Sequence, residues 1–452
     1  MQAVKNDKKI KVGIGFATGR KSFQKVLKTY VYNWKEYGLT ENEDVSLNLL
    51  VAYDLKYSNA KPIHFTGIHK DLLNLIDEAH FIGRGALRKE IAALVEQNVL
   101  SQKEADLFFG SGYAAKRNAI LYKAVKSGID YLVFLDDDEY PFAVTNTHKS
   151  AVWGGQAVLT THLDYIRRAD ITNGYHCGYI SPIPYIRFNK ILTESDFRVF
   201  IEAISNDVLN WDSLRAVMNN GGVTYADPSV LVNRTVEEVP EINRAKFITG
   251  ANLCLNLTRP ERVFPFYNPP GARGEDTFLS TCLSDRKVLR VPCYAFHDGF
   301  STYQHLMDGV LPNKLKRIEA DSEPVVSRFY AACLGWVRYK PLFVYITQRD
   351  QYDQIMRETQ EKLSRTLPKI CAYFQNNSFM KISSELNSYR KNVEKHYAQF
   401  LEMQRIWAKL RAYLKEPPAR RCFKVSPLAA ASPECYPEKK SVHRIERTGA
   451  VR

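Results

Sequence analysis

The segment Tyr131–Pro141, YLVFLDDDEYP, places three consecutive aspartates directly after five apolar residues. An apolar run of this length is typical of a strand that is buried on both faces of a sheet. Because side chains alternate along a strand, we expect Asp136 and Asp138 to point the same way and to hold a hard divalent cation with a diphosphate bound to it. An acidic turn that caps a helix is the alternative, but three acids beside a buried strand are costly without a cation.

The chain around this segment alternates between short apolar runs and amphipathic stretches. In order, these are Lys11–Phe16, Phe23–Tyr37, Leu47–Tyr53, Asp71–Ile82 and Ala114–Ser127. The first and third predict buried strands, and the other three predict helices. Strands that alternate with helices favour an α/β fold with a mostly parallel sheet flanked by helices, in which ligands collect at the carboxyl ends of the strands.

The pattern is looser after Pro141 and becomes regular again near residue 245. Lys246–Leu257 predicts a strand around a Gly-Ala-Asn turn, Glu275–Ser284 predicts a helix, and Val288–His297 predicts a final strand. These patterns extend the α/β arrangement to about residue 300, with an irregular insertion in its second half.

The domain organisation follows from these patterns. We expect an α/β domain at 1–300 with an irregular insertion at about 142–245, a helical region at 301–418, and a basic, disordered tail at 419–452. Within the helical region, Ile382–Leu414 has the apolar spacing of one long amphipathic helix. We expect this helix to pack on its own domain, and a coiled coil that forms a homodimer is the alternative.

The composition limits the classes of protein. The 452 residues include 63 Lys and Arg against 49 Asp and Glu, a formal charge of +14, and 45% are apolar, which excludes a mostly disordered chain. No apolar stretch has the length of a transmembrane helix, and the first residues lack the apolar region of a secretory signal. The eight cysteines include no CxxC pair, so we expect reduced thiols in a cytoplasmic protein.

The positive charge has three interpretations, which are attraction to nucleic acid, to an anionic membrane surface, or to a phosphate-bearing substrate. No dense block of Arg and Lys interleaved with aromatic residues is present, so we expect no nucleic-acid partner. Peripheral contact with the inner face of a membrane and an anionic substrate both stay open.

Two further groups of residues have the chemistry of a catalytic site. Arg117 lies on the helix before the aspartate segment, although a surface arginine is a common alternative. Glu275 and Asp276 follow the glycine-rich loop Gly271–Gly274, so one carboxylate can act as a general base and the other can bind a hydroxyl group. Capping of a helix N-terminus is the alternative role for these two acids.

A histidine is the third candidate. His297 ends the last predicted strand, and a neutral imidazole beside two carboxylates is a suitable further ligand for Mn²⁺. A hydrogen-bonded structural histidine is the alternative. His305 is close in sequence and is a weaker candidate.

Taken in this order, these residues resemble the GT-A glycosyltransferases, most closely the inverting family-2 type. The resemblance covers about residues 10–300 and consists of short motifs in a specific order. It implies that the insertion at about 142–245 lies on the acceptor side. The motifs are the loop Phe16–Arg20, the strand end at Asp54, Arg117-Asn118, Leu135–Asp138, Gly250–Asn252, Glu275-Asp276 and His297. The first loop lacks the family's usual Pro-Thr-Tyr-Asn pattern, and the chain after Asp54 lacks the usual Gly-Ser pair.

The resemblance implies a role for each matching residue. Asp138, Asp136 and His297 would hold Mn²⁺ or Mg²⁺, Asp276 would be the catalytic base, and Glu275 would position the acceptor. The residues that the resemblance implies for donor binding are Ala17, Thr18, Asp54, Arg117, Asp136, Asp137, Asp138 and Gly250.

We therefore expect a metal-dependent enzyme that transfers a sugar, with inversion, from a nucleotide-diphosphate sugar to a hydroxyl group of a glycan, a glycolipid or an anionic polymer. A retaining GT-A enzyme and a nucleotidyltransferase on a related fold are the alternatives. The spacing of Gly13, Gly15 and Gly19 is one residue too long for a dinucleotide-binding fingerprint. A non-catalytic binder of membranes or nucleic acid would explain the charge but not the acids after the buried strand.

Overall fold

The computed structural model of the chain describes residues 9–147, 149–205, 211–303, 306 and 308–416. The strands are β1 (Ile10–Thr18), β2 (Val45–Tyr53), β3 (Glu78–Ile82), β4 (Tyr131–Leu135), β5 (Glu139–Tyr140), β6 (Phe142–Asn146), β7 (Ala151–Gly155), β8 (Ile171–Gly178), β9 (Glu237–Glu238), β10 (Glu241–Ile242), β11 (Ala245–Lys246), β12 (Leu253–Asn256) and β13 (Val288–His297). The helices are α1 (Phe23–Glu36), α2 (Ile63–Thr66), α3 (Lys70–Leu73), α4 (Arg84–Glu96), α5 (Gln102–Phe109), α6 (Tyr113–Lys126), α7 (Val158–Ile166), α8 (Glu194–Ile204), α9 (Trp211–Asn219), α10 (Pro228–Asn233), α11 (Glu275–Ser280), α12 (Glu323–Thr347), α13 (Tyr352–Phe374), α14 (Lys381–Lys391) and α15 (Val393–Lys415).

One central sheet organises the described residues, with strand order β3-β2-β1-β4-β12-β8-β13-β5 and β9 beside β13. The strands β3, β2, β1, β4, β8 and β13 run in one direction, whereas β12 lies antiparallel between β4 and β8. Apolar residues on one face pack against α1 and α7, and those on the other face pack against α5, α6 and α15. The expected α/β class, with a mostly parallel sheet flanked by helices and a helical C-terminal part, is confirmed.

The strand order reverses between β1 and β4. After β1 the chain adds β2 and β3 on one side, and it then crosses to add β4 on the other side. Strands β1 and β4 are parallel neighbours, with register from Val12–Tyr131 to Phe16–Leu135. Open α/β sheets bind ligands beyond the carboxyl ends of the strands at such a reversal. The aspartate triplet follows β4 and is therefore at this position.

The helix expected over Asp71–Ile82 is wrong, because α3 ends at Leu73 and a strand, β3, begins at Glu78. This strand forms the edge of the sheet beside β2, and Asp77 Oδ2 accepts a hydrogen bond of 2.7 Å from the Leu47 N–H. The residues of β3 are only half-buried or exposed. The continuous apolar run that marks a buried strand is therefore missing from this stretch of sequence.

The single helix expected over Ile382–Leu414 is two helices, α14 and α15, which meet at Asn392. The apolar spacing continues across Asn392, so periodicity alone does not reveal the break. Helix α15 packs on its own chain, where Trp407 Nε1 donates a 2.8 Å hydrogen bond to Val263 O and the Trp407 ring stacks on Phe108. A homodimer stays a prediction.

The six cysteines of the described chain are free thiols, and five of them are buried. No helix in the ranges given above combines the length and the hydropathy needed to cross a bilayer. His305 and the tail at 419–452 lie outside the described residues.

Replacing Trp407 by alanine tests the packing of α15. The ring is 1% exposed, so its removal leaves a cavity and an unpaired carbonyl, and we expect a loss of about 3–5 kcal/mol in the free energy of unfolding. The matched control is Arg405→Ala on the exposed face of the same helix, with an expected change within about 0.5 kcal/mol. Urea denaturation measures both, and equal small losses would show that α15 does not stabilise the α/β domain.

Candidate active site

The aspartate triplet forms a turn after β4, and the strand itself ends before it. The alternation expected of a strand therefore does not orient Asp136 and Asp138. Asp136 Oδ1 lies 3.1 Å from Arg117 Nη2, whereas Asp138 contacts Arg20 and His297. The two carboxylates that were expected to share one cation thus have different partners.

Asp138 and His297 form the first half of the site. His297 Nε2 lies 3.4 Å from Asp138 Oδ2, and Arg20 Nη2 donates a 2.6 Å hydrogen bond to the same oxygen. On the other side of the ring, His297 Nδ1 lies 2.7 Å from Tyr179 O. A carbonyl oxygen only accepts, so Nδ1 carries a proton and Nε2 is the nitrogen that faces Asp138. This is the arrangement by which proteins orient a metal-ligating histidine.

The two side chains shift each other's protonation. Burial opposes ionisation of Asp138, but His297 and then Arg20 outweigh it and hold the pKa of Asp138 below its usual range. Burial likewise opposes protonation of His297, but the charge of Asp138 raises the pKa of His297 to about 9. A divalent cation between them would displace the proton on Nε2, because a metal binds the neutral ring.

Asp137 holds the turn to the end of β1. Thr18 Oγ1 donates a 2.5 Å hydrogen bond to Asp137 Oδ2, and Arg20 Nε lies 3.0 Å from Oδ1. Asp137 is 5% exposed, and burial and the charge of Asp138 both raise its pKa. Both of its carboxylate oxygens therefore already have partners, and its structural role is to join the ends of two neighbouring strands.

Arg117 connects this half of the site to the second half. Its guanidinium contacts Asp136, lies 3.4 Å from Glu275 Oε1 through Nε, and donates a hydrogen bond to Gly250 O. The side chain is 3% exposed, and the rings of Phe134 and Phe266 lie against it with centroids 5.1 and 5.6 Å from Cζ. A buried guanidinium with two carboxylate partners fixes the turn after β4 relative to the N-terminus of α11.

Asp276 is the second acid at the start of α11. Its Oδ2 accepts a 3.0 Å hydrogen bond from the Gly250 N–H, and its Oδ1 accepts one of 2.9 Å from the Thr277 N–H. Burial raises the pKa of Asp276 to about 6, the charge of Glu275 adds to this, and Arg117 opposes it. A carboxylate with this pKa, held in one orientation by two backbone groups, has the properties of a general base near neutral pH.

The other residues predicted to bind the sugar-nucleotide donor differ in their exposure and contacts. Asp54 follows β2, has 38% of its side chain exposed, and lies 3.5 Å from Lys116 Nζ. Ala17 is 3% exposed in the apolar core, so its side chain does not reach a ligand. Gly250 takes part through its backbone, since its carbonyl binds Arg117 and its N–H binds Asp276.

Sequence reasoning missed Arg20, which contacts two of the three aspartates. The signal was present, because Arg20 lies two residues after Thr18 in the loop that follows β1. Parallel neighbouring strands bring their carboxyl ends to one edge, so a cation after β1 lies near the acids after β4.

The acidic turn is short of positive charge. Burial raises the pKa of Asp136, Arg117 opposes the rise in part, and the neighbouring acids add to it. Glu139 pairs with His176 at 3.0 Å, yet its Oε2 is buried without a hydrogen-bond partner. A divalent cation bound at Asp138 would add positive charge beside Asp136 and favour its ionised form, and the oxygen and imidazole donors suit Mn²⁺ or Mg²⁺.

In the part of the chain that the structure describes, no three His, Cys, Asp or Glu side chains converge as a complete cation site. Protein sites for Mg²⁺ often supply one or two carboxylates and leave the remaining positions to substrate phosphates and water. The pair of Asp138 and His297 fits a cation of that kind.

In comparisons with known proteins, no family model matches this chain and no curated protein matches it. What the residues can do chemically therefore follows from their geometry. At the carboxyl ends of the strands, Asp138 pairs with His297. The buried Arg117 connects Asp136, in the same turn as Asp138, to Glu275 at the start of α11.

Arg117→Met tests the connection between the two halves. The variant keeps an apolar stem but leaves Asp136 and Glu275 without a counter-charge, so we expect a loss of about 3–5 kcal/mol in the free energy of unfolding at pH 7. The control is Lys116→Met, which removes the adjacent pair with Asp54 and is expected to cost less than about 1 kcal/mol. Urea denaturation compares the two, and equal losses would show that Arg117 does not neutralise the buried acids.

Proposed function

We propose that the chain is a metal-dependent glycosyltransferase of the GT-A type, which transfers a sugar from a nucleotide-diphosphate donor to an acceptor hydroxyl group with inversion. The position of Arg117 carries the proposal, because it joins Asp136, in the same turn as Asp138, to Glu275, beside the candidate base. A donor and an acceptor must meet in one site with their reacting atoms in line. The place of the acids at the reversal of strand order supports the same conclusion.

Asp138 and His297 are the residues that would hold Mn²⁺ or Mg²⁺. When bound, the cation supplies Lewis-acid stabilisation of the negative charge on the departing diphosphate. Tyr179 O keeps His297 in the tautomer that presents Nε2, and Arg20 fixes the Asp138 carboxylate. Asp136, with 31% of its side chain exposed, would accept a hydrogen bond from a ribose hydroxyl of the donor.

Asp276 is the residue that would accept the proton of the acceptor hydroxyl. The acceptor oxygen attacks the anomeric carbon, the bond from that carbon to the diphosphate oxygen breaks, and the electron pair leaves with the nucleoside diphosphate. A single displacement of this kind inverts the anomeric configuration. Glu275, which is 15% exposed beside Arg117, would bind and orient an acceptor hydroxyl group.

Asp54 and Lys116 would meet the nucleoside end of the donor. They lie on the β2 side of the aspartate turn, opposite to His297 in the order of strands. Asp54 offers an acceptor for a hydrogen bond from the base or the ribose. The hydrogen bond from Thr18 to Asp137 holds the turn after β4 beside the end of β1. The formal charge of +14 favours an anionic acceptor, such as a phosphate-bearing polymer or glycolipid.

Removal of divalent cations tests the metal assignment. We expect EDTA to abolish sugar transfer and added Mn²⁺ to restore it, in a screen of nucleotide sugars followed by release of nucleoside diphosphate. Asp138→Ala is expected to lose both activity and Mn²⁺-dependent thermal stabilisation by the nucleoside diphosphate, whereas Asp212→Ala on the exposed surface of α9 keeps both. Full transfer in EDTA, or release of pyrophosphate, would contradict the assignment.

Asp276→Asn tests the base. We expect the variant to bind the donor as the wild type does, with kcat reduced by about 10²-fold or more, because the amide cannot accept the proton. Asp285→Asn, at an exposed position after the same helix, is the matched control. A kcat of Asp276→Asn within a few-fold of the wild type would favour a retaining mechanism.

The pH dependence of kcat/KM tests the role of Asp276 independently. The base acts in its ionised form, and the pKa of Asp276 is raised to about 6. The value of kcat/KM should therefore rise with pH through about 6 and level off above it. A profile that is flat between pH 5 and about 8 would remove Asp276 from the proton transfer.

A further inference from the structure

One face of α12 lies against the candidate active site. Arg328, Gly335 and Tyr339 are seven and four residues apart, a spacing that places them on one side of a helix. A Cβ atom added to Gly335 would lie 2.9 Å from Arg273 Cδ, and one added to Gly274 would lie 3.1 Å from Tyr339 Cδ1. The loop before Glu275 and Asp276 therefore rests directly on a helix of the C-terminal region.

Hydrogen bonds from the same region also hold this loop. Arg338 Nη1 donates a 2.9 Å hydrogen bond to Gly271 O, and Arg338 Nε lies 2.8 Å from Glu385 Oε2 on α14. Tyr389 of α14 donates a hydrogen bond to Pro270 O. The C-terminal helices thus fix the loop that presents the candidate base.

Arg328 extends from this face of α12 toward Asp138 and His297. Its Cζ lies 4.9 Å from the centroid of the Phe300 ring. A Cβ atom added to Gly299 would lie 3.1 Å from Arg328 Nη2 and 2.9 Å from His297 Cε1, so the guanidinium and the imidazole are neighbours across Gly299. Arg328 Nε is buried without a hydrogen-bond partner, and within the described chain Arg328 forms no ion pair.

The surrounding charges leave this guanidinium uncompensated. Burial lowers the pKa of Arg328, Asp138 raises it in part, and Arg20 and Arg273 lower it further. The one carboxylate that attracts Arg328 is already paired with Arg20 and His297. Arg20 and Arg328 both act on Asp138, so two guanidinium groups share one carboxylate. Arg binds the oxygens of anions such as phosphate through its N–H groups.

We propose that Arg328 binds the phosphate oxygens of the nucleoside diphosphate, which makes the C-terminal helical region part of the active site. This inference rests on the function proposed above and assigns a residue outside the α/β domain. As the bond to the anomeric carbon breaks, negative charge grows on the departing diphosphate. A guanidinium already in place stabilises that charge without reorganisation.

The test is the affinity of the full chain for UDP, GDP, ADP and CDP in the presence of Mn²⁺, measured by isothermal titration calorimetry. For the diphosphate that the wild type binds best, we expect Arg328→Gln to raise Kd by about 10–100-fold, as loss of a hydrogen bond between charged groups predicts. Arg328→Lys keeps the charge and should recover part of the affinity. Arg357→Gln, on the exposed side of α13, should bind as the wild type does.

Three outcomes test this inference and separate it from the proposed function. Equal affinity of Arg328→Gln and the wild type for the diphosphate overturns the role of Arg328 and leaves the glycosyltransferase proposal standing. If the wild type binds none of the four diphosphates with Mn²⁺, both proposals fail. If Arg328→Lys binds no better than Arg328→Gln, the residue acts through packing on Phe300 and not through its charge, which also overturns the inference.

Discussion

The buried guanidinium of Arg117 is the interaction on which the rest of the site depends. It packs against the rings of Phe134 and Phe266, where an unpaired charge would be very costly, and it is stable there because Asp136 and Glu275 both pair with it. These acids belong to segments more than a hundred residues apart in the chain. A single side chain therefore sets the distance between the turn after β4 and the start of α11, and with it the distance between the two halves of the candidate site.

The charged side chains of the candidate site form two groups, one acidic and one basic. In the turn after β4, burial raises the pKa values of Asp136 and Asp137, and the neighbouring carboxylates add to the rise. Nearer the C-terminal helices, the charges of Arg20 and Arg273 oppose that of Arg328, and Asp138 favours it only in part. A divalent cation would complement the acidic group, and a diphosphate bound to it would complement the basic group. If Arg328 binds the diphosphate as proposed, the C-terminal helices form one wall of the site in addition to covering the sheet.

The sequence indicated the α/β class and most of the sheet because buried strands leave continuous apolar runs, as in β4 and β13. It did not reveal β3, whose residues are half-exposed at the sheet edge, or the break at Asn392, where the apolar spacing is uninterrupted. Within the site, the order of motifs identified the acids, Arg117 and His297. The separate partners of Asp136 and Asp138 could not be predicted, because the triplet forms a turn in which strand alternation does not apply. The contribution of α12 could not be predicted either, since Arg328 approaches from a distant helix through tertiary packing alone.

The most direct test of this account is the position of Mn²⁺ in a crystal of the full chain grown with the nucleoside diphosphate that binds best. Anomalous diffraction at the manganese edge locates the ion without reference to any assumed ligand. The account predicts one peak bound by Asp138 Oδ2 and His297 Nε2 at about 2.0–2.3 Å, with diphosphate oxygens completing its shell. A peak away from this pair, or a diphosphate bound without any ion beside Asp138, would contradict it.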